Sequence, residues 1–380
     1  MAKRRGKREG SVFPRKDGRW VAQVTLEDGT RKVRYRETLQ EAHKALQQML
    51  RDLEQGRLAT GPQQTVRQYL ELWFTDVHGP TLRKSSRSSY RNKIDKHILP
   101  ALGHIPLQKL SPQHVQALYA GKLKEGLSPK SVKLIHAILH NALKNAVRWH
   151  LVAYNVCDNV SLPKQVRYES QTLTKEQAQK LLEAARGHRL EALLTVALAT
   201  GMRRGELLAL RWSDIDFEHG HLRVRRTMNY LAGHGFIEGE PKTQKSRRSI
   251  LLPQFVIEAL EQHKTHQGET RQKAGARWHD HDLVFCNMVG GFQDTRYLGK
   301  LFTQLLKDAG LPHMRFHDLR HSAATILLGI NIHPKVVQEL LGHSNISTTM
   351  DTYSHFLPSM QKDAMDGLDD LFGGDKGDIK

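Results

Sequence analysis

The spacing of apolar residues changes along the chain, and this change constrains the fold more than any other feature. At residues 19–26 and 32–36 apolar and polar residues alternate, as in β-strands. After residue 65 apolar residues recur every three or four positions, as in amphipathic helices. Polar stretches at 57–64 and 161–167 separate the segments. At 380 residues the chain is also too long for one typical domain. We therefore predict a multidomain α+β protein with modules at 1–60, 65–160 and 170–360.

The first module, 1–60, predicts a three-stranded sheet with one helix. Asp17-Gly18 and Asp28-Gly29 mark turns between alternating strands. Thr38 and Glu41 form a capping box that predicts a following helix. We expect one face of the sheet to be basic, and cations on such a face favour contact with DNA phosphates over a merely solvated surface. The candidate DNA-binding residues are Arg15, Lys16, Arg31, Lys32, Arg34 and Arg36.

The second module, 65–160, has the spacing of a helical bundle. Ser111-Pro112 and Ser128-Pro129 predict helix starts, because serine caps free backbone amides and proline is tolerated in the first turn. A Ser- and Arg-rich run at 83–91 is either an exposed loop or a phosphate contact, since hydroxyl donors alternate there with cations. Its DNA-binding candidates are Arg83, Lys84, Arg87 and Arg91.

The charge of the chain limits its partners. Lys and Arg number 58 against 39 Asp and Glu, a net charge of +19, which indicates a polyanion such as nucleic acid. No apolar run approaches the ~18–20 residues that span a bilayer, so a membrane protein is not expected. Cys157 and Cys286 alone form neither a disulfide framework nor a zinc site, which fits a reducing cytoplasm. Residues 361–380 hold six Asp and three Lys, and this acidic tail is either a solubilising end or a segment that docks near a basic surface.

The third module, 170–360, is expected to be mainly helical with a small β-sheet. A capping box at 174–177 begins it, and strands at 221–226 and 247–252 should pair across a long glycine-rich loop. His317 and Arg320, three residues apart, would share a helix face. A helix starting at Pro334 would end at Gly342 and hold His343 just beyond it.

Several residues of this module suit phosphodiester cleavage without a metal. Guanidinium groups, of Arg203 and Arg320, can hold the oxygens of the transition state bidentately. The hydroxyl of Tyr353 can attack phosphorus and store the bond energy in a phosphotyrosyl ester. The leaving 5′-oxygen needs a proton, which Lys242 or Lys245 could supply from a mobile hairpin; their spacing alone does not separate the two.

Three stretches of the module carry a resemblance to a known family. They are residues 199–207 (ATGMRRGEL), 316–325 (FHDLRHSAAT) and 340–355 (LLGHS through TTMDTYSH). Together they resemble the catalytic domain of the tyrosine recombinases, the phage integrase family. The second module is similar to the core-site-binding domain of that family, and the first resembles its arm-type DNA-binding domain. The resemblance covers about residues 10–360.

The resemblance implies a role for each matching residue. Arg203, His317, Arg320 and His343 would bind and activate the phosphate, and His317 would also assist as acid or base. Lys242 would act as general acid and Tyr353 as nucleophile. Glu206 would support the first arginine.

We therefore expect a site-specific recombinase, an integrase of a prophage or integrative element. Four protomers would synapse two DNA duplexes at core and arm-type sites and exchange strands through a 3′-phosphotyrosyl intermediate and a Holliday junction, with an excision factor as a possible partner. The setting would be a bacterial cytoplasm. No cofactor is expected, because nucleotide-binding fingerprints are absent. The motif at 279–282 and the pair His263 and His266 lack the converging ligands of a metal site.

Three alternatives stay open at the level of sequence. A type IB topoisomerase or telomere resolvase would use the same chemistry, although DNA relaxation needs no arm-type module. A non-catalytic DNA-binding regulator could keep the fold, but it would not need the full set of six residues. A metal-dependent nuclease would lose activity in EDTA.

Overall fold

The computed structural model describes residues 10–25, 31–54, 64–165, 171–231, 233–240 and 247–342, together with Met365, Asp366, Leu368 and Phe372. The chain divides into two compact units, residues 1–167 and 168–380. None of the described helices is long and apolar enough to cross a membrane.

A small antiparallel sheet begins the first unit. Strands β1 (Ser11–Pro14), β2 (Trp20–Thr25) and β3 (Arg31–Arg36) lie in that order, and helix α1 (Leu39–Glu54) covers one face. The predicted capping box is confirmed, because the amide of Glu41 donates to the Thr38 hydroxyl at 3.3 Å and the amide of Thr38 donates to the Glu41 carboxylate at 3.4 Å. Ala22 and Val24 are fully buried against α1.

The prediction of one basic face on this sheet is wrong. In the β2–β3 register Lys32 lies opposite Val24 and Arg34 opposite Ala22, so both point to the side that α1 covers. Successive side chains of a strand point to opposite faces, so Arg31 shares the other side with Val33 and Tyr35. We call this second side the open face; its members include the buried Val21 and the exposed Phe13, Arg31, Val33 and Tyr35.

Helices form the rest of the first unit, around a core of their own that includes the fully buried Trp73 and Tyr69. Ser111 and Ser128 cap α5 and α6, and each helix has a proline in its first turn, as predicted. Short π-helical segments, Trp73–His78 and Ile94–Ile98, continue α2 and α3. The helices are α2 (Val66–Leu72), α3 (Lys84–Lys93), α4 (Leu99–Leu102), α5 (Pro112–Lys124) and α6 (Pro129–Arg148).

The Ser- and Arg-rich run is the helix α3 and not a loop. Its side chains at 83, 84 and 87 are exposed. Arg91 instead holds α3 to α2, because its Nη2 donates to Glu71 at 2.8 Å while its Nε pairs with Asp95 at 2.8 Å. The Arg91 guanidinium also lies 6.0 Å from the ring centroid of Phe74. This arginine therefore has a structural role within the bundle.

The second unit is mainly helical with short strands. The capping box before α7 is confirmed, because Thr174 accepts from the amide of Gln177. The elements in chain order are α7 (Lys175–Ala184), α8 (Glu191–Thr200), α9 (Arg204–Leu207), β4 (Ile215–Asp216), β5 (His221–Val224), β6 (Thr227–Leu231), β7 (Gly235–Gly239), β8 (Arg248–Leu251), α10 (Gln254–Ala274), α11 (Thr295–Asp308), α12 (Asp318–Gly329) and α13 (Pro334–Leu341).

The sheet of this unit differs partly from the prediction. β5 and β8 pair antiparallel as expected, with β4 as a third strand. The connection between β5 and β8 is not only a glycine-rich loop, because it contains the β6–β7 hairpin. The α+β class is confirmed. Helix α8 lies within the core, with eight of its ten residues buried, so the turn at its C-terminal end is held from several sides.

Candidate active site

The site is built on the turn that follows α8, residues 201–203, which we call the Gly201 turn. Gly201 ends α8 in the left-handed conformation, at φ 58°. A Cβ on Gly201 would clash with the side chain of Leu341, so the turn also requires glycine for close approach to α13. The next residues then lead directly into the short helix α9.

Glu206 orients Arg203. Its carboxylate accepts hydrogen bonds from the backbone amide of Arg203 at 3.0 Å and from the Arg203 Nη1 at 2.8 Å, at the start of α9. The Glu206 side chain is 2% exposed and that of Arg203 is 37% exposed. A buried carboxylate thus holds a guanidinium that still reaches the surface. This geometry suits an arginine that must bind a phosphate in a fixed orientation.

The charge of Glu206 is stabilised despite its burial. Burial raises the pKa of Glu206, but the charge of Arg248 and the hydrogen bonds from Arg203 lower it by more, so its pKa lies below the ordinary value. The Nη2 of Arg248 lies 3.2 Å from the second carboxylate oxygen. Glu206 therefore stays ionised between two arginines.

Arg320 is anchored to the same turn. Its side chain lies in α12 and is buried, and its Nη1 donates to the carbonyl oxygen of Gly201 at 2.8 Å. The Nη2 of Arg203 donates to the carbonyl of Gly342, at the end of α13, at 3.3 Å. The fold thus brings both arginines to one turn and brings the residue before His343 to the same place.

His317 immediately precedes α12, beside a buried carboxylate. Asp318 is fully buried and accepts from the backbone and guanidinium of Arg315 at 3.0 and 2.8 Å, which fixes the start of the helix. Burial lowers the pKa of His317, and the neighbouring His321 and Arg320 lower it further. Its imidazole is therefore neutral down to a lower pH than usual, as a proton acceptor requires.

The remaining candidates lie outside the described residues. They are Lys242, Lys245, His343 and Tyr353. The described strands β7 and β8 end and begin at Gly239 and Arg248, on either side of both lysines, and Gly342 with φ 66° directly precedes His343.

Two of the histidines that were weighed as metal ligands, His263 and His281, have other partners. The Nε2 of His263 contacts the Val284 carbonyl at 2.8 Å, and the ring of His281 stacks on Phe292. Asp280 pairs with Arg271 at 3.0 Å. Across the described part of the chain, no group of three or more His, Cys, Asp or Glu residues could hold a metal ion.

Sequence reasoning missed Arg248. A signal was available, because Arg248 alternates in phase with Ile250 and Leu252, both of which are buried. A cation at a core position of a strand needs a carboxylate partner, and Glu206 provides it. The alternation of buried positions in β8 therefore predicts that Arg248 is buried and needs an acidic partner.

A basic groove lies beside β8, and Arg248 is one of its lining residues. Its volume is about 840 Å³, and β5, β7, β8 and the turn before β6 border it. Glu238 and Glu240 also line it, and Glu238 pairs with Arg226 at 3.2 Å. The arginines of the groove are Arg223, Arg225, Arg226, Arg247 and Arg248.

The fold is shared with integrases of known structure. A structure of the Tn1549 transposon integrase in complex with transposon right end DNA matches with a TM-score of 0.66 at 22% identity, over 80% of this chain and 99% of the other. A lambda integrase tetramer bound to a Holliday junction matches with a TM-score of 0.56 at 20% identity, over 88% and 95%. At these identities the likeness defines the fold.

Sequence comparison defines the family. The Phage integrase family model matches residues 171–360, and the model of the N-terminal SAM-like domain of phage integrases matches 65–123. An integrase of Streptomyces ambofaciens is 32% identical over 97% of this chain and 98% of its own length. A protein of Caldanaerobacter subterraneus subsp. tengcongensis described as "Tyrosine recombinase XerC-like" is 31% identical over 94% and 98%. The chain belongs to the phage integrase family of tyrosine recombinases, and it is a site-specific recombinase, an enzyme of DNA strand exchange.

Proposed function

We propose that this recombinase cleaves DNA with Tyr353 and that Arg203 and Arg320 hold the scissile phosphate. The observation that carries the proposal is the anchoring of both arginines on the Gly201 turn, with the end of α13 held against Arg203. Two guanidinium groups fixed in this way can bind the two non-bridging oxygens as negative charge develops on them. His343, which follows Gly342, would complete the phosphate site.

The chemistry needs no external energy source. The hydroxyl oxygen of Tyr353 attacks phosphorus, the bond from phosphorus to the 5′-oxygen breaks, and Lys242 or Lys245 gives that oxygen its proton. The neutral His317 is suited to accept the proton of the tyrosine or to donate a hydrogen bond to the phosphate. The 5′-hydroxyl of a partner strand then attacks the 3′-phosphotyrosyl ester and releases Tyr353.

We infer three further DNA-binding surfaces. The open face presents exposed aromatic and apolar side chains, with Phe13 at 42% and Tyr35 at 43% exposure, and the guanidiniums of Arg15 and Arg19 lie 5.3 and 5.5 Å from the Tyr35 ring centroid. Such a face suits arm-type DNA. In the helical module, the exposed cations of α3 at 83, 84 and 87 suit the phosphates of core-site DNA. The exposed arginines of the basic groove in the second unit, Arg223, Arg225 and Arg247, suit the same duplex.

The larger assembly follows from these roles. We propose an arm-type domain at 1–60, a core-binding domain at 65–160, a catalytic domain at 170–360 and an acidic tail at 361–380. Four protomers would join two duplexes and resolve a Holliday junction, in line with the assembly of the lambda integrase. The setting would be the cytoplasm of a bacterium that carries a phage or other mobile element, with an excision factor setting the direction.

A nicked suicide substrate that carries the cognate core site tests the nucleophile. The wild-type protein should form a covalent adduct that resists denaturation, and it should do so in EDTA. Tyr353→Phe should form none, while Tyr154→Phe, at an exposed tyrosine of the first unit, should form the normal amount. An adduct with Tyr353→Phe, or none with the wild type, would contradict the proposal.

The same substrate tests the arginine clamp. Arg203→Lys and Arg320→Lys should each slow adduct formation by about 10²–10³, because an ammonium cannot replace the planar fork in the transition state. Binding of the core site in a gel-shift assay should change far less. Equal losses in binding and in cleavage would assign these arginines to general DNA affinity instead.

A further inference from the structure

Arg248 connects elements that lie far apart in the sequence. It begins β8, and its side chain is only 8% exposed. Its Nη2 donates to Glu206 at 3.2 Å, and its Nε donates to the carbonyl of Leu340 in α13. One guanidinium therefore connects three elements. They are β8, the helix α9 and the end of α13.

The burial of this cation calls for an explanation in function. Removing a charge from water is costly unless it is paired and hydrogen-bonded, and an apolar residue at a strand position in phase with Ile250 and Leu252 would avoid the cost. Burial lowers the pKa of Arg248, and the Glu206 carboxylate opposes that shift. Glu206 also holds Arg203, and Leu340 lies two residues before Gly342, whose carbonyl accepts from Arg203.

We propose that Arg248 is a positioning residue for the phosphate-binding side of the active site. It keeps Glu206 ionised, so that Glu206 orients Arg203, and it fixes the end of α13, from which His343 follows. The inference rests on the proposed function of Arg203 and His343. The Nη2 and Nε of Arg248 are directed at Glu206 and Leu340, so its role is to position these two groups.

The charge of Arg248 matters because it lowers the pKa of the buried Glu206 carboxylate. With Arg248 present, the pKa of Glu206 lies below its ordinary value although burial acts to raise it. Without Arg248 the burial remains and the main charge that opposes it is gone, so the pKa of Glu206 should rise. A protonated Glu206 would lose one acceptor for Arg203, and the loss should grow as the pH falls.

Two substitutions at this position separate charge from geometry. Arg248→Met removes the charge and keeps an unbranched side chain as far as the position of Nε. Arg248→Lys keeps the charge beside Glu206 but lacks the second nitrogen that reaches Leu340. Arg271→Met is the matched control, because it also removes an arginine from a carboxylate, Asp280, but at an exposed site. Each protein is assayed for single-turnover adduct formation on the suicide substrate across a range of pH.

The expected result is a loss in chemistry with little change in binding. Arg248→Met should slow adduct formation by about 10- to 100-fold, with the acid limb of the pH profile moved to higher pH. Arg248→Lys should return the acid limb of the pH profile to its wild-type position but recover only part of the rate of adduct formation. Arg271→Met should have the wild-type rate and profile. Core-site affinity should be unchanged in all of them.

A sulfur leaving group then separates this role from that of the nearby lysines. A substrate with sulfur in place of the bridging 5′-oxygen needs no proton donor, because a thiolate leaves readily. It should restore cleavage by whichever of Lys242→Ala and Lys245→Ala is defective, but not by Arg248→Met. Full restoration of Arg248→Met, or a normal rate for it on the ordinary substrate, would overturn the inference.

Thermal unfolding tests the Arg248–Glu206 pair without cleavage. Glu206 in the wild type contributes stability at neutral pH that is lost as the pH falls through its lowered pKa. In Arg248→Met the pKa of Glu206 should be higher, so the carboxylate contributes less stability at neutral pH, and the two proteins become alike once Glu206 is protonated in both. The difference in Tm between the two proteins should therefore shrink from pH 7 towards acid. A constant difference would overturn the inference even if the wild type proved inactive, whereas an inactive wild type alone would overturn the proposed function.

Discussion

At the residue scale, the single residue Gly201 makes several contacts. Its carbonyl accepts from Arg320, its φ of 58° directs the chain towards Arg203, and its lack of a side chain admits Leu341. The sequence TGMRRGE predicted a functional arginine here. It did not show that the glycine before that arginine joins α8, α12 and α13.

Gly201→Ala should destabilise the second unit by about 2–4 kcal/mol, because a left-handed alanine costs about 1–2 kcal/mol and the added Cβ must also displace the buried Leu341. Gly187→Ala is the control. Gly187 has a similar φ of 70°, but a Cβ there would meet nothing within 4 Å, so only the backbone cost applies. Urea unfolding measures both variants, and equal losses would show that α13 does not pack closely on the turn in solution.

At the element scale, local signals predicted the helices well. Capping boxes before α1 and α7 and the Ser-Pro starts of α5 and α6 are confirmed, because a cap depends on residues within four positions of one another. The same local reasoning left α3 as a loop or a phosphate contact. It could not see Glu71, twenty residues earlier, which pairs with Arg91.

Substitutions in α3 should therefore divide by position. Arg91→Ala should lower the free energy of unfolding by about 1 kcal/mol, because a network with two carboxylates is lost. Arg87→Ala should change stability little but should reduce the salt dependence of DNA affinity by about one unit of slope, as the loss of one phosphate contact requires. Urea unfolding and salt titrations of core-site binding measure the two effects. The reverse pattern would show that Arg91 contacts DNA and Arg87 supports the fold.

At the scale of the whole molecule, binding to arm-type sites and binding to core sites should depend on different surfaces. Arg31→Ala combined with Tyr35→Ala, on the open face, should weaken recombination of substrates that carry arm-type sites by about tenfold or more, since stacking or groove contacts are each worth about 1–3 kcal/mol. Adduct formation on a core-site suicide substrate should stay normal, because the catalytic unit is untouched. Arg51→Ala, at an exposed arginine of α1, controls for the change in charge. An equal defect on both substrates would mean that the open face does not read a separate site.

The sequence by itself determined what depends on neighbours along the chain: the α+β class, most helix starts, and the stretches that mark a tyrosine recombinase. Tertiary structure decided what depends on packing between distant segments. It placed Lys32 and Arg34 on the side of the sheet that α1 covers. It paired Arg91 with Glu71 inside the helical bundle. It also placed Arg248 in contact with Glu206 and Leu340. The physical reason is that a buried charge is held by partners that the fold supplies, here 42 and 92 residues away, and no local pattern specifies them.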